Sequence, residues 1–311
     1  MNITLKQLEY FVALTRHRNF GRAADSVHIS QPALSVQIRE LETQLGQPLV
    51  ERKTRDIALT PFGRTILDHA ERVLAEMRSL KESARWNDGL SGQLRLGVIP
   101  TVAPYILPAA LAALRARDIS LDVQVQETVT ARLIDGLRSG ALDVALMALP
   151  GSEEGLTEIP LFEDRFVLAG SQSRLDALGP LRENLRPTEL GQNPLMLLED
   201  GHCLTDQALE VCGRNRGHSQ INMGASSLAT LSRLVEAGFG LTLMPELALR
   251  SEALATPNLR LARFADPQPA RQIGLVHRKT TNEGKWLQEL AEILTEAGQE
   301  QIACAKDLVR T

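Results

Sequence analysis

The chain has no run of about eighteen apolar residues, the length a helix needs to cross a bilayer. Its opening stretch, MNITLKQLEYFVALTRHRNF, alternates polar and apolar residues on a helical period. It lacks both the uninterrupted apolar core and the small-residue cleavage site of a secretory signal, so a cytoplasmic location with no membrane partner is expected. There is no Cys-x2-Cys zinc spacing, no phosphate-binding loop and no Gly-x-Gly-x-x-Gly after a strand, and neither a metal nor a cofactor is expected. Cysteine is scarce: Cys203, Cys212 and Cys304 are the three. A small odd number in a reducing compartment predicts free thiols, any disulfide being transient or redox-sensing. Positive charge is also short, at a net −4 overall. Residues 1–59 nevertheless hold eight Lys/Arg against six Asp/Glu, a charge of +2 that leaves −6 for the rest. That asymmetry is mild evidence of where a polyanion would bind.

What is present begins with helix signals. Thr4 can cap a first helix, with Gln7 at the capping-box position and Ile3 placed for a hydrophobic staple. A second helix is expected from about Phe20 to Val27, and His28-Ile29 makes a tight turn. Ser30 reads as the N-cap of a third helix with Pro32 in its first turn; Leu34, Ile38, Leu41 and Leu45 form its apolar stripe, and Gly46 stops it. Leu49–Arg52 and Ile57–Leu59 read as short strands around the turn Lys53-Thr54-Arg55-Asp56. Three short helices and a basic-tipped hairpin make a winged helix-turn-helix over residues 1–59. In the third helix Ser30, Gln31, Pro32, Ser35, Gln37 and Arg39 lie on or beside the face opposite the apolar stripe. Gln31, Ser35 and Arg39 follow i, i+4, i+8, a stripe that can reach base edges in a major groove. Arg52, Lys53 and Arg55 on the wing would contact phosphates. On pattern alone, an ordinary polar helix face explains these residues as well as DNA does.

From Thr60-Pro61 onward, Ile66, Ala70, Val73, Met77, Leu80 and Ala84 recur at alternating steps of four and three residues, the spacing of a coiled-coil seam. An amphipathic helix packed on its own domain is the simpler alternative. Residues 60–90 are therefore read as a linker helix, dimerising through residues 60–88, that ends near Gly89, Ser91 and Gly92. Beyond them strands alternate with helices to the end of the chain, an α/β pattern that predicts parallel sheets flanked by helices. At roughly 200 residues with two strand clusters, residues 91–311 are expected to form two lobes sharing a cleft, where ligands bind outside the strand ends.

In this region Gly201 breaks a strand ending at Leu198, and a helix is expected over about 204–216. Cys203 lies near its N-terminus, where unpaired amides and the helix dipole favour a thiolate. Cys212 falls on the apolar stripe and should be buried. Nine helical residues span roughly 13–14 Å, whereas a disulfide needs Cα atoms within about 7 Å. Joining the two would require the helix to unwind, so such a bond would be a switch. On spacing alone, a chance surface thiol beside an unrelated core cysteine is the commoner explanation.

Residues Phe20 to Gly63, with Ala23-Ala24, Ser30-Gln31-Pro32-Ala33-Leu34-Ser35, Ile38, Leu41-Glu42, Leu45-Gly46, Leu49, Arg52, Arg55, Leu59-Thr60 and Gly63, resemble the signature of LysR-type transcriptional regulators. Val50 departs from it, standing where that family often has Phe. The resemblance implies promoter DNA as partner, a homodimer through the linker helix, commonly a homotetramer, and a regulatory domain like the periplasmic binding proteins. RNA polymerase is a candidate further partner. The run Leu198-Glu199-Asp200-Gly201-His202-Cys203, followed by Asp206-Gln207-Ala208 and Cys212, resembles the peroxide-sensing branch of the family. So do Gly97–Val102, Pro104-Tyr105, Ser139-Gly140, Pro160–Phe162 and Ile273–Val276. That likeness implies hydrogen peroxide as effector, Cys203 as the reacting thiol and Cys212 as the resolving thiol of a reversible disulfide. It also implies peroxide binding or activation by Thr101, Thr130, His202, Asp206 and Arg271. Thr205 departs from it, replacing an arginine found in enteric members. Cys304 lies outside the pattern. The expected function is peroxide-responsive regulation, activating or repressing antioxidant genes, by a protein that is not an enzyme. The alternatives are a LysR-type regulator that answers a small organic co-inducer in the cleft, and a thiol peroxidase.

Overall fold

The computed structural model describes residues 3–52, 57–83, 93–117, 121–151, 153–179, 185–191, 193–214, 220–281, 283–305 and 308. Expectations that fall on Lys53, Arg55, Ala84, Gly89, Ser91 and Gly92 lie outside them. The chain divides into two compact units, the first built on Met1–Ala84 and the second on Arg85–Leu137 and Leu142–Thr311. No helix of the described residues is long and apolar enough to cross a membrane.

The first unit contains α1 (Leu5–His17), α2 (Phe20–Ser26), α3 (Gln31–Leu45), a hairpin of β1 (Val50–Arg52) and β2 (Ile57–Leu59), and α4 (Pro61–Ser83). Local chemistry sets these boundaries. The Thr4 hydroxyl accepts from Gln7 N while Thr4 N donates to the Gln7 side chain, closing the capping box. Ser30 caps α3 through Ala33 N, and Gly46 ends it at φ 78°, a left-handed conformation that glycine adopts without strain. Such caps are each worth about 1 kcal/mol. Leu34, Ile38 and Leu41 are fully buried and pack with Phe11, Leu14 and Ala23. The Glu42 carboxylate accepts from the amides of Leu49 and Val50, tying the end of α3 to the wing.

The second unit is a mixed α/β structure. Its main sheet runs β10 (Arg260–Arg263), β6 (Leu156–Gly170), β11 (Ala270–Arg278), β5 (Val144–Leu149), β3 (Gln93–Val98), β4 (Asp122–Glu127), with β9 (Thr242–Pro245) also paired to β6. A separate pair joins β7 (Leu195–Leu198) to β8 (Gln220–Ala225). The helices are α5 (Ala103–Arg117), α6 (Thr130–Arg138), α7 (Gln172–Asp176), α8 (Cys203–Val211), α9 (Leu228–Glu236), α10 (Glu246–Ala255) and α11 (Lys285–Ala305).

The two expected strand clusters are present, and the fifteen-residue β6 belongs to both. Its first ten residues pair with β11, whereas Phe166–Gly170 pair with β9 and β10. The expectation of parallel sheets holds for β3–β4, β3–β5 and β7–β8 only. Strand β11 returns late in the chain and inserts antiparallel between β5 and β6, which makes the main sheet mixed. The first half of β6 contains Pro160. The register shifts there, Pro160 facing Gly274 and Phe162 facing Ile273, so the proline sits at a bulge, where a missing amide costs least.

Candidate functional site

The exposed face of α3 is arranged as its sequence suggests. Ser30, Gln31, Pro32 and Arg39 are exposed, and Ser35 and Gln37 are half-buried. Arg39 Nη2 donates to Ser35 Oγ at 3.3 Å and Gln37 Nε2 to Glu40 Oε2 at 2.9 Å. Contacts this exposed are weak, so both long side chains can turn toward a base edge. Arg52 is the last residue of β1, at the base of the wing tip.

The two cysteines of interest bracket α8. Cys203 is its first residue, partly exposed, and Cys212 its C-cap, buried at 4% exposure; neither is in a disulfide. The helix is therefore shorter than expected: it stops at Val211, and Cys212 lies at its end rather than on its stripe. Gly213, at φ 60°, closes a left-handed turn in which Gly213 N donates to Glu210 O and Arg214 N to Leu209 O, a Schellman motif. The Arg214 guanidinium then clasps the loop before β7, donating to the carbonyls of Asn193 (2.9 Å) and Gly191. Burial pushes the Cys212 thiol up to about 11, Arg214 pulling weakly the other way, so at neutral pH Cys212 is a protonated thiol.

The start of α8 is pinned as well. Thr205 is buried and its hydroxyl donates to Leu198 O at 2.9 Å, so the side chain that replaces an arginine ties α8 to β7. His202 is buried, its Nε2 3.9 Å from Glu199 Oε1. Burial lowers the imidazole below its usual range, Glu199 opposing, and it is neutral at pH 7. Asp206 stands exposed in the first turn of α8, where a negative charge suits the helix N-terminus. Gly201 turns at φ 99°, and a side chain there would begin 3.7 Å from Val129 Cγ1. The loop before Cys203 thus packs against the residue preceding Thr130. Thr130 Oγ1 is buried without a hydrogen-bond partner.

The Arg271 side chain is fully buried on β11. It faces Asp164 across the β6–β11 ladder; its Nε donates to Asp164 Oδ2 at 2.9 Å, and Nη2 lies 2.8 Å from the same oxygen in an ion pair. Its Nη1 donates to Thr101 Oγ1 at 2.8 Å and Nη2 to Thr101 O at 3.2 Å. Asp164 Oδ1 accepts from Leu247 N at 3.0 Å in the first turn of α10. Burial pushes the Asp164 carboxyl up, while Arg271 and the Leu247 amide hold it down. A second buried network lies nearby in sequence: Tyr105 Oη donates to Glu252 Oε1 at 2.9 Å and Ser232 Oγ to Glu252 Oε2 at 3.1 Å. Burial, then Glu252, raises the Tyr105 phenol well above its usual value.

Two family descriptions match the chain: "Bacterial regulatory helix-turn-helix protein, lysR family" over residues 5–64, and "LysR substrate binding domain" over 87–299. The chain belongs to the LysR family. Among LysR-type relatives it is 43% identical over 300 residues, 94% of each chain, to a probable hydrogen peroxide-inducible genes activator of Streptomyces viridosporus. It is 40% identical over 293 residues, 94% of this chain and 95% of the other, to the DNA-binding transcriptional dual regulator OxyR of Escherichia coli. Corynebacterium glutamicum OxyR, 38% identical, has solved structures in two relevant states. A cysteine-to-serine mutant with hydrogen peroxide bound aligns over 100% of this chain and 99% of that one at TM-score 0.65. The oxidized form aligns over 100% and 98% at 0.60.

In this LysR-type chain the structure brings Thr101 to Arg271 by a direct hydrogen bond, and the Cys203 loop to the start of α6. Asp164 and Arg214 were missed by sequence reasoning. Asp164 carried no motif; Arg214 was legible in part, since a glycine followed by an arginine two residues past Cys212 is a helix stop with a donor beside it.

Proposed function

We propose that the protein is a hydrogen peroxide-sensing transcriptional regulator of the LysR family, switched by a reversible Cys203–Cys212 disulfide. The observation that carries this reading is the placement of two free thiols at the two ends of one helix, the accessible one at its N-terminus and the protonated, buried one locked in its closing turn. Peroxide forms an S–O bond to the Cys203 thiolate as its O–O bond breaks, giving a sulfenic acid and, after protonation, water. The Cys212 thiol then attacks that sulfur, releasing a second water and leaving the disulfide. Nine residues of helix at about 1.5 Å each hold the two Cα atoms roughly 13 Å apart, whereas a disulfide holds them at about 4.4–6.8 Å. Helix α8 must therefore unwind, and the Arg214 clasp and the Thr205 tie must open. That rearrangement is the signal. Thr101, Thr130, His202, Asp206 and Arg271 are assigned to binding and activating the peroxide. The protein regulates rather than scavenges, since a DNA-binding unit serves no purpose in bulk peroxide removal, and its place is the cytoplasm, where its DNA lies.

Residues 1–59 are taken as the DNA-binding domain, 60–90 as the linker and 91–311 as the redox-sensing domain. Ser30, Gln31, Pro32, Ser35, Gln37 and Arg39 meet the major groove, and Arg52, Lys53 and Arg55 the backbone. Arg39→Ala is expected to weaken operator binding by about 1–3 kcal/mol while binding to unrelated DNA barely changes. Equal losses on both, measured by fluorescence anisotropy, would make Arg39 a phosphate contact instead.

Homodimerisation through residues 60–88, with pairing of dimers into a tetramer, fits the seam positions of α4 that its own unit leaves uncovered: Val73 is 45% and Leu80 65% exposed. Leu80→Glu should raise the dimer dissociation constant roughly 100-fold or more, because burying a leucine is worth about 2 kcal/mol and a two-fold interface uses it twice. Analytical ultracentrifugation showing an unchanged dimer would remove this seam. The function as a whole is tested by footprinting an operator with reduced and with peroxide-treated protein. Two different footprints are expected, and identical footprints at full oxidation would contradict the switch.

A further inference from the structure

Asp164 is the most thoroughly buried acid of the second unit, with a fully buried side chain, and no step above uses it. Its environment is built from two directions. From β11, Arg271 gives it a hydrogen bond from Nε and an ion pair; from α10, whose N-cap Pro245 offers no side-chain cap, Leu247 N donates to its other oxygen. The carboxylate therefore holds the guanidinium plane in one orientation and is itself held by a helix N-terminus. In that orientation Arg271 reaches Thr101 with both terminal nitrogens, Nη1 donating to its hydroxyl and Nη2 to its carbonyl oxygen.

This fixes the direction of one hydrogen bond. Arginine has donors only, so Thr101 Oγ1 accepts from it, and the hydroxyl hydrogen must point elsewhere. It donates no hydrogen bond to any described residue. Thr130 Oγ1 is buried with no partner at all. Left unpaired, such buried groups are costly. A molecule that both donates and accepts would satisfy either hydroxyl.

We propose that Asp164 is a positioning residue for the peroxide reaction: by orienting Arg271 it forces the Thr101 hydroxyl to act as a donor toward the oxygen that leaves. This rests on the peroxide-sensing function proposed above. In the step concerned, the Cys203 thiolate bonds to one peroxide oxygen while the O–O bond breaks. Sulfur is oxidised by two electrons, the peroxide oxygens are reduced, and the departing oxygen carries off the electron pair as hydroxide, protonated to water by solvent. Thr101 supplies a hydrogen bond to that developing charge and is unchanged at the end.

The test compares two reactions of Cys203 in the full-length reduced protein by stopped flow: oxidation by hydrogen peroxide, and alkylation by iodoacetamide, which has no departing oxygen to stabilise. Asp164→Asn is expected to slow oxidation roughly 10- to 100-fold, the range for weakening one oriented donor, while alkylation changes less than about 3-fold. Adding Thr101→Val to Asp164→Asn should cost little further, because both remove the same hydrogen bond. Should Asp164→Asn not fold, Asp164→Glu keeps the buried charge; it is expected to slow oxidation alone, and by less. An oxidation rate equal to wild type, equal losses in both reactions, or additive effects with Thr101→Val would each overturn the proposal. A wild-type protein whose Cys203 ignores peroxide would instead sink the function itself, and this inference with it.

Discussion

A Cys203→Ser variant is expected to fold, to bind its operator as the reduced protein does, and to lose the transcriptional response to hydrogen peroxide completely. The fold should survive because Cys203 is only partly buried at the edge of the core and serine is close to it in shape. The response should vanish because a serine hydroxyl at neutral pH neither attacks the O–O bond nor enters the sulfenic acid and disulfide states. Cys212 does not substitute. It is buried, protonated up to about pH 11, and enclosed by the Gly213 turn and the Arg214 clasp. A reporter assay comparing wild type with Cys203→Ser measures this directly. Any induction retained by the variant would place peroxide sensing elsewhere, Cys304 being the remaining thiol.

The largest expected effect on stability is Gly63→Ala. Gly63 lies in the first turn of α4, where a methyl group would sit 2.0 Å from Leu49 O and 2.9 Å from Leu49 C. The obstacle is backbone and cannot turn aside. It is also fixed in place, since Leu49 O accepts from Thr60 N at 3.0 Å and Leu49 N donates to Glu42. The Thr60 hydroxyl, which caps α4 through Gly63 N, donates to Pro48 O at 2.8 Å. Overpacking of this kind costs about 3 kcal/mol or more. In a unit of this size that lowers the melting temperature by roughly 12–24 °C. Calorimetry should show that loss in the N-terminal transition alone, with operator binding reduced and peroxide oxidation of Cys203 retained. An unchanged transition would mean that α4 and the wing are not packed as described.

The parts of the molecule set by local chemistry were readable in the sequence. Thr4, Ser30 and Gly46 mark helix ends by what their own atoms do to neighbouring amides, and α1, α3 and the wing strands fall where those residues place them. The α8 boundary was misjudged because one residue, Gly213, decides it by its left-handed turn. The first half of β6 carries Pro160, which is tolerated beside a bulge at Leu161 of the same strand. The buried charge network was not legible at all. Asp164 and Thr101 lie 107 and 170 positions from Arg271, and only the antiparallel register of β6 and β11 brings the acid to the guanidinium. For the same reason Thr205 read as the loss of a charge, whereas its hydroxyl is a tie between α8 and β7.

The central claim, that Cys203 and Cys212 form a disulfide in response to peroxide, is tested most directly by peptide mapping in a mass spectrometer after fully reduced protein receives one equivalent of hydrogen peroxide. A crosslinked peptide pair joining Cys203 to Cys212, formed within seconds to minutes and reversed by a thiol reductant, with Cys304 unmodified, is the predicted result. Three free thiols after that exposure would contradict the account, leaving a LysR-type regulator whose effector acts by another chemistry.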